Sequence, residues 1–284
     1  MAIKMASYGE IVWDVFGGSK KLGGAPLNFA YFCAKAGADS FVISAVGCDE
    51  LGDRALETAK IAGVNIDYVA RSGLPTGEVL VKMNPDKTHS FEILPARAWD
   101  AISISPQTKE LLKTLDAFAY GTLCQRSARS RESLAEALSL LPETCLKIFD
   151  ANIRQNFYSK EIVESSATRA DFLKINEDEL KIFREMFSVS ENSAEAAIKA
   201  IAKRFGLKCV VLTLGGDGFV ILNGGEIFCG KSLPVKVADT VGAGDSFLAT
   251  FAVCLLQNKT LKECAAAANK TAAIVCSRSG AMCL

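Results

Sequence analysis

Asp239-Thr-Val-Gly-Ala-Gly-Asp-Ser-Phe247 follows a β-branched run, Val235–Val237, and leads into the apolar helical pattern Ser246–Leu256. The reading is strand, glycine-rich turn, helix. Glycines at 242 and 244 leave backbone N–H groups open, and the helix N-terminus adds positive potential, so the turn suits an anion. Asp245 stands where that anion would also sit. On this segment alone it is either the cap of the following helix or a general base beside a bound phosphate. Other phosphate motifs are excluded. G-x-x-x-x-G-K-[ST] occurs nowhere, and Gly242-x-Gly244 is no dinucleotide fingerprint, because Phe247 replaces the third glycine and two helices follow instead of a strand.

Outward from this turn, short apolar runs alternate with longer helical patterns, the mark of βα units and a mainly parallel sheet. The predicted strands are Phe41–Val46, Ala117–Tyr120, Leu146–Phe149, Phe172–Ile175 and Cys209–Leu214; helices are predicted over Leu27–Ala36, Leu51–Ala62, Ser130–Leu141, Ser246–Leu256 and Leu261–Cys276. Two stretches break the rhythm. Thr76–Leu94 alternates in the β manner around Asn84-Pro85-Asp86 with no helix after it, and reads as a hairpin apart from the parallel core. Phe219–Cys229 reads as a second hairpin, turning at Asn223-Gly224-Gly225. No linker or internal repeat divides the chain. The expectation is one α/β domain over 1–284 carrying a small β-lid around 66–94.

Half of the 284 residues are hydrophobic and 23% are charged, which supports a buried core and excludes a disordered chain. Lys+Arg and Asp+Glu balance at 32 each, so nothing draws the chain generally to nucleic acid or anionic membrane. No run is long and apolar enough for a membrane span, and the N-terminus lacks a signal-peptide pattern. A soluble cytoplasmic protein is expected. The ten cysteines are scattered with no C-x-x-C pair, and several lie in apolar runs, so they read as free, mostly buried thiols. A single histidine, His89, disfavours His-based nucleophile triads and His-rich metal sites.

Other polar clusters stand at the ends of predicted strands. Asp14 and Gly23-Gly24-Ala25-Pro26-Leu27-Asn28 join a carboxylate and a carboxamide to a double glycine, chemistry suited to sugar hydroxyls. A glycine-rich turn with a helix-capping Asn explains the same residues. Asp150-Ala-Asn-Ile-Arg154, Asn176-Glu-Asp-Glu179 and Thr213-Leu-Gly-Gly-Asp-Gly218 each end a strand, where open α/β sheets bind ligands. Singly they are ordinary turn chemistry; in a row they are harder to dismiss.

Together these motifs resemble the two signatures of the PfkB, or ribokinase-like, sugar kinases, and Gly23-Gly-Ala-Pro with Asp150-x-Asn-x-Arg154 is most similar to the fructokinase branch. The resemblance implies a three-layer α/β/α sandwich with a small β-sheet lid, and ATP-dependent phosphorylation of a primary sugar hydroxyl, fructose first. It implies Asp245 as catalytic base and Gly242, Ala243 and Gly244 as a backbone anion hole. Asp14, Gly23, Gly24, Asn28 and Arg154 would hold the sugar. Asn176 and Glu179 would handle Mg²⁺ and phosphate through water, while Thr213, Gly215, Gly218 and Asn269 would bind the nucleotide. Many members also bind a monovalent cation such as K⁺, here expected at Asp239, Val241, Val275 and Gly280. Ala151 stands where proline is common. Kinases of 2-keto-3-deoxygluconate, ribose or a nucleoside are the same-fold alternatives, and a non-catalytic sugar sensor the alternative of another class. The resemblance also implies a homodimer through the lid.

Overall fold

The computed structural model describes residues 2–83 and 89–282. Its strands are β1 (Lys4–Tyr8), β2 (Val12–Phe16), β3 (Ser19–Gly23), β4 (Asp39–Gly47), β5 (Val69–Ser72), β6 (Gly77–Met83), β7 (His89–Ile93), β8 (Ala117–Gly121), β9 (Leu146–Asp150), β10 (Phe172–Asn176), β11 (Cys209–Thr213), β12 (Phe219–Asn223) and β13 (Glu226–Gly230). The helices are α1 (Ala25–Lys35), α2 (Glu50–Ile61), α3 (Pro106–Leu112), α4 (Ala128–Leu140), α5 (Lys160–Arg169), α6 (Glu177–Phe187), α7 (Ala194–Phe205), α8 (Ala243–Leu256) and α9 (Leu261–Cys276).

A nine-stranded sheet runs β13-β12-β11-β10-β9-β8-β1-β4-β5, antiparallel only at β11–β12–β13. Strand residues alternate between two apolar layers. Leu173 and Ile175 enter one with α3 to α7, while Phe172 enters the other with α1, α2, α8 and α9. That period of two, covered on both faces, builds the three layers. From β1 the chain winds to β4 and β5 on one side and to β8–β11 on the other. The crevice outside the C-terminal ends of β1 and β8 is therefore the topological switch point, where open α/β sheets bind ligands.

The lid is a separate four-stranded sheet, β3-β2-β6-β7. The hairpin expectation holds for β6 and β7; its turn at Asn84-Pro85-Asp86 lies outside the described residues. β2 and β3 were not foreseen, and Asp14 rides on β2 inside the lid, paired with Val79 and Lys21. Within 66–94 only β6 and β7 belong to the lid, because β5 pairs with β4 at the edge of the large sheet. Its apolar residues Val79, Val81 and Ile93 are buried within the chain, with Val79 and Ile93 in the same cluster as Trp99. The core therefore covers a face that the βα rhythm left unaccounted for. Val235–Val237 is no strand: Val235 and Val237 lie exposed in an irregular segment anchored where Ala238 N and Asp239 N bond Cys276 O.

Candidate active site

Gly242 caps α8 with φ 81°, and a Cβ there would come within 2.6 Å of Ala281 Cβ. Only glycine fits. The cap reading of Asp245 falls with this, since Asp245 is the third residue of the helix and Oδ2 accepts from Asn28 Nδ2 at 2.8 Å. The N–H groups of Gly244 and Asp245 bond no backbone carbonyl among the described residues, leaving the donors of a first helical turn free for an anion. Asn28 is buried on α1, and its Oδ1 has no partner among the described residues. An orphaned acceptor costs stability unless something donates to it.

Carboxylates crowd this point. Burial first, then Asp150, pushes Asp245 up to about 6, against the pull of Lys174, the Asn28 hydrogen bond and Arg154. Asp14 is also held up at about 6 by burial, with Arg154 and Lys21 opposing and Asp239 adding to the rise. Glu10, just past β1, is 4% exposed and pushed up to about 7 by burial, despite backbone N–H groups at Glu10 and Ala25. Arg154 lies exposed in the loop after β9, within electrostatic reach of all three. In that loop Asn152 (φ 38°) and Gln155 (φ 49°) are left-handed, and Gln155 Nε2 bonds Phe91 O on the lid at 2.5 Å. The lid and the arginine loop are thus joined.

Asn176 and Glu179 form the capping box of α6: Glu179 N donates to Asn176 Oδ1 at 2.9 Å and Asn176 N to Glu179 Oε2 at 2.8 Å. Glu179 Oε1 also takes Ile153 N at 3.0 Å, which ties α6 to the arginine loop. Thr213 ends β11, and Gly215 begins the turn after it. Gly215 O accepts from Ser232 Oγ at 2.7 Å and Lys231 O from Asn269 Nδ2 at 2.9 Å, so adjacent residues draw this turn and α9 together. Beside them Leu233, Val235, Val237, Val241 and Ile274 are exposed apolar residues. The monovalent-cation residues also meet, but as partners of one another. Asp239 Oδ1 takes Val241 N and Oδ2 takes Gly280 N, both at 3.0 Å, and Val275 O takes Arg278 N. These contacts use the N–H groups of Val241 and Gly280 and not their carbonyl oxygens, the atoms a cation would take.

Glu10 and Lys174 were not singled out from the sequence, although each interrupts an apolar strand-like run (Gly9-Glu-Ile-Val and Phe172-Leu-Lys-Ile).

Residues 1–283 match the pfkB family carbohydrate kinase model. The chain belongs to that family. The kinase is 28% identical over 255 residues to an ATP-dependent 6-phosphofructokinase of Thermoanaerobacterium thermosaccharolyticum, covering 86% of this chain and 75% of that protein. It is 27% identical to a fructokinase of Escherichia coli, covering 80% of this chain and 74% of the other. A crystal structure of a sugar kinase from Pyrococcus horikoshii in complex with ATP superposes with a TM-score of 0.84 at 25% identity, covering 98% and 94% of the two chains. This kinase is an ATP-dependent sugar kinase with the ribokinase-like fold.

Proposed function

We propose that the kinase transfers the γ-phosphoryl group of ATP to a primary hydroxyl of fructose, as the fructokinase relative's name suggests. The observation that carries this reading is the 2.8 Å bond from Asn28 to Asp245, which joins the polar cluster of α1 to the glycine turn of α8. A hydroxyl seated there meets a half-buried carboxylate that can take its proton. Asp14, Gly23, Gly24, Asn28 and Arg154 hold the sugar, with the orphaned Asn28 Oδ1 accepting a sugar hydroxyl. Asp245 is the base, and the turn Gly242–Gly244 offers the phosphoryl oxygens the N–H of Gly244, joined by that of Asp245, whereas Ala243 N, expected in the anion hole, is taken by Thr240 O.

The residues present fit ATP. Free N–H groups stand at the head of α8, and the exposed apolar residues 233–241 and Ile274 suit a base beside Thr213, Gly215, Gly218 and Asn269. No cluster of acidic, His and Cys side chains able to hold a metal occurs among the described residues. Mg²⁺ would accordingly be held mainly by the nucleotide's phosphates, as is usual for that ion, with Asn176 and Glu179 acting through water. It supplies charge neutralisation on the phosphates. The meeting of Asp239 with Val241 and Gly280 supports the K⁺ site that the resemblance implies. Exchanging KCl for NaCl should then lower the rate, and an unchanged rate would remove the site.

The lid carries the half-exposed Phe91 on its terminal strand β7, which supports a homodimer through residues 76–94. A cytoplasmic location is consistent with nine free cysteines among the described residues. The deciding experiment is ADP release across fructose, fructose 6-phosphate, ribose, 2-keto-3-deoxygluconate and adenosine. Fructose 6-phosphate belongs in the panel because Lys21 and Arg154 both act on Asp14. Fructose should give the highest kcat/KM; a preference for any other acceptor overturns the assignment.

A further inference from the structure

Lys174 stands inside β10 between Leu173 and Ile175, and its side chain is only 7% exposed. A lysine so placed would be expelled unless its charge were matched. Its Nζ donates to Asp150 Oδ1 at 3.0 Å, the only hydrogen bond this ammonium makes among the described residues. Two of its three donors are therefore unspent. They lie against the glycine turn, where a Cβ on Gly244 would come within 3.2 Å of Nζ. The same turn has free N–H groups at Gly244 and Asp245. Burial works against the ammonium, but Asp150, Glu179 and Asp245 together hold it charged.

We propose that Lys174 is a catalytic residue which contacts the migrating phosphoryl group, and that Asp150 is the positioning residue that aims it. This rests on Asp245 being the base. In the step concerned, the sugar hydroxyl oxygen bonds to the γ-phosphorus and its proton passes to Asp245. The bond from that phosphorus to the β–γ bridging oxygen breaks, and ADP leaves with the electron pair. Negative charge on the phosphoryl oxygens then faces both the turn's N–H groups and the spare Lys174 donors. A preorganised buried cation is worth more to such a transition state than an exposed one.

The test separates the fold from the chemistry. Lys174→Met alone strands Asp150 and should lower Tm, whereas Asp150→Asn/Lys174→Met replaces the pair by neutral groups and should restore it. The restored double variant should still lose at least about 100-fold in kcat, the scale of one lost oxyanion donor. By calorimetry it should also bind a non-hydrolysable ATP analogue more weakly while binding ADP as before. A double variant with wild-type kcat and an unchanged preference for the analogue over ADP overturns the proposal and makes the pair a fold element. Asp245→Asn, assayed alongside, reports on the base alone. If it is inactive while the double variant is fully active, the base stands and Lys174 falls.

Discussion

Asp245 is poised between charges that pull its proton affinity in opposite directions, and the balance leaves it at about 6. A base must be unprotonated to act, so turnover should be full near neutrality and fall as pH drops through about 6; a kcat flat down to pH 5 would contradict this. Asp245→Asn should lower kcat by at least about 10²-fold with little change in sugar affinity. Asp14→Ala should weaken sugar binding by about 1–3 kcal/mol, the cost of unpaired polar groups, and leave ATP binding nearly untouched; titration calorimetry with each ligand decides it. Glu10 makes a different point. Its carboxyl is raised to about 7 when folded, above the ordinary Glu value near 4.5. The folded state therefore binds more protons between those values, and the stability this confers at low pH is lost as pH rises through about 7. Glu10→Gln should flatten that dependence and raise Tm at pH 8, read by thermal melts at pH 5.5 and 8. An unchanged melting profile would mean that Glu10 sits in contact with water.

The elements show which parts of this molecule are written locally. Gly218 has φ 116°, and a Cβ there would lie 2.0 Å from Gly230 O, so the start of β12 must pass hard against the end of β13. Gly218→Ala should cost at least about 2 kcal/mol, while Gly224→Ala, at φ 57° in open space, should cost less. Urea melts of the two variants compare them. Strands buried on both faces and helices with capping residues were legible, because the periodicities of two and 3.6 are properties of single segments. β2 and β3 were not. Asp14 breaks the apolar run of β2, Lys20 and Lys21 sit in β3, and only lateral pairing with β6 makes strands of them. Val235–Val237 misled in the opposite sense, its β-branched residues standing exposed off the sheet. At the site, the glycines, Asn28 and Asp245 were singled out each from its own motif, while the contact between Asn28 and Asp245 was not. The ion pair Lys174–Asp150 was hidden, since each charge lies on a different strand and only the β9–β10 register sets them side by side.

At the scale of the whole molecule, the lid raises the question of partners. Its Val79, Val81 and Ile93 already pack inside the chain, so a dimer would draw on Phe91, at 48% exposure. Phe91→Lys should turn a dimer into a monomer without unfolding it, as light scattering with circular dichroism can show. A wild-type chain monomeric at micromolar concentration would remove the dimer and leave the lid free to close over one sugar.

Asn28 and Asp245, to which we assign sugar binding and proton abstraction, are 217 positions apart in the chain. During synthesis the sugar side emerges early and waits, its carboxamide without a partner, until α8 has left the ribosome. On that assignment, a chain that lacks α8 cannot bring acceptor and base together. α8 acts as the permit for α1, so a truncation before α8 should yield a species with no residual turnover at any substrate concentration.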